Sequence, residues 1–80
     1  MKLYLLRPVK AWKPWYDSAF GFVVRAENEE DARRLCASEQ GDEAGWGREK
    51  RPWEDPDLTT CVELTTDGQP EVIIRDFWAA

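Results

Sequence analysis

The chain has no histidine, only two cysteines and one methionine among its eighty residues. Without imidazole there is no side chain with an ordinary pKa near neutrality to act as general base, and no histidine to ligate a metal. The cysteines, Cys36 and Cys61, are too few for a disulfide framework and form no Cys-x-x-Cys pair, so redox and zinc chemistry have no motif. Both read as reduced thiols, with a Cys36–Cys61 bridge open only if a helix packs closely over a strand. Ser18 and Ser38 have no visible partner for nucleophilic catalysis. Gly41, Gly45 and Gly47 neither follow a strand nor open a helix, which excludes a phosphate-cradling loop. No apolar run nears the ~20 residues a bilayer span needs. Leu3-Tyr-Leu-Leu6 is too short for the apolar core of a signal peptide, and Arg7-Pro8 ends it, so a cytoplasmic protein is expected.

Aromatic residues and acids are plentiful instead. Five Trp, three Phe and two Tyr compensate for the thin core of a single small domain, residues 1–80. The formal net charge is −5, which opposes nucleic acid and anionic membranes and favours a basic partner.

The stretch Ala19 to Gly41 reads as a strand running into a capped helix. Phe20, Phe22 and Val24 alternate with Gly21, Val23 and Arg25. Asn28 stands at the N-cap, Glu29, Glu30 and Asp31 fill the first turn, and Gly41 offers a left-handed stop. Ala32, Leu35, Cys36 and Glu39 follow at helical spacing as the stripe toward the strand. Lys2–Arg7 reads as a first strand, with Leu3 and Leu5 on one side and Tyr4 and Leu6 on the other. Leu58–Leu64 and Glu71–Trp78 read as a final hairpin about Thr66-Asp67-Gly68-Gln69. The fold class these elements predict is α+β, a two-layer β-β-α-β-β arrangement: a mostly antiparallel four-stranded sheet with one helix on one face. Residues 42–57 lack periodicity, and Trp46 and Trp53 within them either fold the segment against the body or serve as contact anchors.

The acids form three groups: Glu27, Glu29, Glu30 and Asp31; Glu39, Asp42 and Glu43; and Glu54, Asp55 and Asp57. The first group complements the helix dipole. The second lies at the helix's far end, where negative charge has no such use, and the third clusters about Trp53. Side chains three or four apart on a helix sit ~5–6 Å from one another, comparable with phosphates along a nucleic-acid strand. Carboxylates so spaced suit a Lys/Arg groove built for DNA. A basic and aromatic run, Lys10, Trp12, Lys13, Trp15 and Tyr16, would suit single-stranded nucleic acid, but the net charge works against it.

The length, the opening Met1-Lys-Leu-Tyr-Leu-Leu-Arg, the content of Trp12, Trp15, Trp46 and Trp53, and the acid-rich helix together resemble the anti-CRISPR proteins of phages and prophages. More narrowly, they resemble an inhibitor of the type I-C surveillance complex, Cascade. That resemblance implies a non-enzymatic protein that binds the complex and keeps it from target DNA, with no cofactor and no metal. These proteins share no common motif, so the contact residues follow from charge and position: Glu29, Glu30, Asp31, Glu39, Asp42, Glu43, Asp55 and Asp57, with Trp46 or Trp53 as desolvated anchor. Arg33 and Arg34 interrupt the acidic helix face, which favours a mixed acidic and apolar contact surface over a pure DNA mimic. The alternatives are a host-encoded interaction or regulatory module pairing through a sheet edge or aromatic face, and a single-strand binder through residues 10–16. Oligomeric state and sheet order are open at this level.

Overall fold

The computed structural model describes residues 1–9, 18–41 and 52–75. Strand β1 spans Lys2–Pro8, strand β2 Phe22–Ala26, helix α1 Glu29–Ser38 and strand β3 Thr59–Leu64, with a 3₁₀ turn at Pro52–Glu54. The strands form one antiparallel three-stranded sheet in the order β2-β1-β3. The four-stranded β-β-α-β-β sheet expected above is therefore corrected to a three-stranded sheet with one helix.

The central strand is β1, which pairs with both β2 and β3. Tyr4, Leu5 and Leu6 are buried consecutively at its middle, where a strand flanks it on each side. Its register sorts the sheet into two faces. Lys2, Tyr4 and Leu6 sit beside Ala26, Val24 and Phe22 on β2, and Tyr4, Leu6 and Pro8 beside Glu63, Cys61 and Thr59 on β3. This face meets α1. Tyr4, Leu6, Ala26, Ala32, Cys36, Ala37 and Trp53 make the core, with Phe22, Val24 and Cys61 packed against it. Each large apolar side chain sequestered in this way stabilises the fold by roughly 1.5–3 kcal/mol. Just before β2, Gly21 lies so close to β1 that an added Cβ would stand 3.2 Å from the Leu6 carbonyl oxygen.

Helix α1 starts as expected. Asn28 is extended (φ −157°, ψ 175°) and its side chain accepts a hydrogen bond from the Asp31 N–H, at 2.9 Å. Its buried stripe differs from the expected one: Ala32, Arg33, Cys36 and Ala37 face inward, while Leu35 is exposed. The helix ends at Ser38 with Glu39 as cap, whose N–H donates to the Cys36 carbonyl, so the last turn closes before Gly41. Phe20 also stays exposed and outside β2.

The expected hairpin about Asp67-Gly68 does not form: the chain bends at residues 66 and 68–70 with no ladder after β3 among the described residues. Gly68 has φ 142°, a value glycine tolerates, and the Thr65 hydroxyl donates to the Asp67 carbonyl. Residues 71–75 then run without strand structure, and residues 76–78 of the expected strand lie outside the described residues. Pro70 has no N–H to continue a ladder. Glu71, Val72 and Ile73 instead wall an open cleft with Leu5, Val62 and Leu64. The β-branched run Val72-Ile73-Ile74 carries strand propensity, but that preference depends on a pleated neighbour to pack against.

Candidate functional site: an acidic surface held by a buried arginine

Arg33 links the two elements that carry the first and third acid groups. The helix carries this side chain inward, where only 8% of the residue remains exposed. Its Nε donates to Glu29 Oε2 at 2.9 Å, its Nη1 to the Trp53 carbonyl at 3.2 Å and to Thr59 Oγ1 at 2.8 Å, and its Nη2 to the Thr59 carbonyl at 3.0 Å. One guanidinium thus ties the first turn of α1 to both ends of the segment Trp53–Thr59. A planar fork of five donors makes this possible, whereas a lysine ammonium presents a point charge.

The tied segment is itself closely bonded. The Thr59 hydroxyl, fully buried, donates to the Pro52 carbonyl at 2.8 Å. Asp55 accepts from the Asp57 N–H through its side chain at 2.8 Å, and its carbonyl accepts from the N–H groups of Leu58 and Thr59. Trp53 is fully buried and meets the Phe22 ring edge-on, with centroids 4.8 Å apart and planes at 88°. The acids Glu54 and Asp57 remain exposed on this folded segment, which Arg33 ties to the first turn of α1.

The expected contact residues therefore divide. Glu29 and Glu30 are exposed and Asp31 half-buried, but each has an arginine partner: Glu29 pairs with Arg33, and Glu30 and Asp31 pair with Arg34 at 3.0 and 3.1 Å. Glu39 is exposed at the opposite end of α1 and stands apart from this group. Asp57 is available at the surface, whereas Asp55 is buried and shapes the turn. Trp53 belongs to the core and offers no ring for a partner to desolvate. Asp42, Glu43 and Trp46 lie outside the described residues, as do Lys10, Trp12, Lys13, Trp15 and Tyr16.

Arg33 is the residue that sequence reasoning placed wrongly, as an interruption of an acidic surface. A signal for it existed: Glu29, Arg33, Cys36 and Ala37 follow the same three- and four-residue spacing as an inward stripe. Both cysteines are free thiols. Burial pushes Cys36 up to about 12, with Cys61 adding to the rise and Arg33 opposing it. Burial also raises Cys61, and the Glu29 carboxylate adds to it. Neither is an activated nucleophile. Among the described residues no cluster of three or more metal-ligating side chains occurs, and no helix is long and apolar enough to cross a membrane. No protein-family model, curated protein or solved structure matches the chain.

Proposed function

We propose that this protein is a non-catalytic inhibitor of the anti-CRISPR type, acting in the bacterial cytoplasm by binding a basic, nucleic-acid-binding surface of an effector complex. The type I-C surveillance complex is the target the sequence resemblance points to. One observation carries the reading: Arg33 holds the first turn of α1, which bears Glu29, Glu30 and Asp31, against the Trp53–Thr59 segment, which bears Glu54 and Asp57, so both acid groups are carried on one pre-ordered support. Carboxylates fixed before encounter need little reordering on binding, and a field of one sign steers a basic partner into place. Arg33 and Arg34 offset part of this charge, so the surface recognises by position as well as by sign.

Purified type I-C complex, assayed for target-DNA binding with and without this protein, tests the reading. Loss of DNA capture, with the protein co-eluting on the complex, is expected. Unchanged DNA capture without co-elution overturns the assignment of this target.

A further inference from the structure

The sheet has a second face, turned away from α1, whose composition differs from the rest of the molecule. The register arranges it in three rows across the strands. Arg25, Leu3 and Leu64 form the first row, Val23, Leu5 and Val62 the second, and Arg7 and Thr60 stand in the third. Leu5 at the centre is buried, while Leu3, Val23 and Val62 are 39%, 52% and 54% exposed. Leu5, Arg7, Thr60, Val62 and Leu64 of this face line an open cleft of about 340 Å³ whose other wall is the segment Glu71–Ile73. Neither Arg7 nor Arg25 has a salt bridge among the described residues, and the strand rows contain no carboxylate, the acid of the cleft being Glu71 on its other wall. A chain with a net charge of −5 thus carries one apolar sheet face whose own charged side chains, Arg7 and Arg25, are positive.

We propose that this face docks a short apolar segment bearing carboxylates, supplied by a partner protein. Charge complementarity selects the occupant. The apolar rows take aliphatic side chains, and Arg7 and Arg25 each take a carboxylate, which a guanidinium binds in a two-pronged fashion. A second copy of the chain is the poorer fit. Face-to-face pairing would set four arginines, Arg7 and Arg25 of both copies, against strand rows without carboxylates and only one cleft acid, Glu71, per copy, and buried unpaired charge is strongly unfavourable. Size also limits the occupant. Three strands spaced ~4.8 Å apart, with five residues at ~3.3 Å rise, give a face roughly 10 by 15 Å between outer backbones. That suits one helix, ~10–12 Å across with its side chains, rather than a globular domain. The arginines lie one strand and four residues apart, so their Cα atoms are on the order of 14 Å from each other. Two acids seven residues apart on a docked helix, ~10.5 Å along its axis, would reach both through the length of the arginine side chains.

The test uses the isotope-labelled full chain and two synthetic amphipathic helical peptides. Both have a leucine face; one is flanked by two glutamates seven residues apart, the other by lysines in their place. The glutamate peptide is expected to shift the methyl signals of Leu3, Val23, Val62 and Leu64 saturably, and the lysine peptide to leave them unmoved. The double variant R7E/R25E, altered only at exposed positions, should weaken binding of the glutamate peptide at least tenfold while keeping the wild-type urea midpoint. Three results would overturn the proposal: no saturable shift of this face, equal shifts with both peptides, or a concentration-dependent dimer in sedimentation with these methyls at its interface.

Discussion

Arg33 shows how much one side chain can decide at the residue scale. Its guanidinium satisfies the Trp53 carbonyl and both oxygens of Thr59 in a region closed to water. Removing it leaves those acceptors without that donor and Glu29 without its partner. The charge left behind, Glu29, is 54% exposed, so the loss is that of buried acceptors without a donor, about 1–3 kcal/mol, and Arg33→Ala should lower urea-unfolding stability by about that much. Arg33→Lys should recover only part, because an ammonium cannot fork. Arg34→Ala removes two contacts on paper, to Glu30 and Asp31, yet its side chain is 65% exposed. Exposed pairs contribute ~0–1 kcal/mol, and the same denaturation series should place this variant within about 0.5 kcal/mol of wild type. Cys36 makes a prediction in pH. Its pKa rises from an ordinary value of 9.0 to about 12 on folding, so the folded chain holds the thiol proton more tightly than the unfolded chain. That contribution is complete below pH 9 and is lost as pH rises from 9 toward 12. Iodoacetamide at pH 8, followed by mass spectrometry, should label Cys61 before Cys36, since Cys61 is only partly buried.

Element by element, the helix was the most legible part and its neighbours less so. Asn28 and the acids after it announce an N-terminus through local chemistry, and the cap forms at 2.9 Å. Asn28→Ala should cost about 1 kcal/mol, read as a drop in urea midpoint with an unchanged denaturant slope. The inward stripe does not follow apolar character. Leu35 is exposed and Arg33 buried, an inversion that only the carbonyls of Trp53 and Thr59, twenty or more residues away, can explain. Long-range partners also decided the sheet. The consecutive burial of Tyr4, Leu5 and Leu6 marks a central strand, but alternation alone assigns each residue a side without saying that a strand flanks it on each edge. Residues 71–75, read as the start of a fourth strand, stay out of the sheet for a similar reason. The chain does bend about Asp67-Gly68, whereas the residues after Pro70 wall a cleft instead of entering a ladder. Turn chemistry governs four residues; it does not fix where the next segment lies.

For the molecule as a whole, the central question is what the charge distribution is for. Acids gather where α1 begins and where the Trp53–Thr59 segment folds back, while the far sheet face carries Arg7 and Arg25 among aliphatic side chains. The candidate site was half legible. The acid groups were visible as clusters, but their assembly depended on Arg33, and Trp53 and Asp55 turned out to build the support instead of the surface. Steering by exposed carboxylates has a definite signature, because interactions between solvent-exposed charges weaken once the Debye length contracts from ~10 Å at 0.1 M salt toward ~3 Å at 1 M. The direct measurement is the association rate of this protein with immobilised type I-C complex across ionic strength, for wild type and for a variant carrying Glu30→Lys and Asp57→Lys. The account predicts a wild-type rate that falls steeply with salt, and a variant at least tenfold slower at low salt with a much flatter dependence. Rates independent of salt, and equal for the two proteins, would contradict an acidic binding surface.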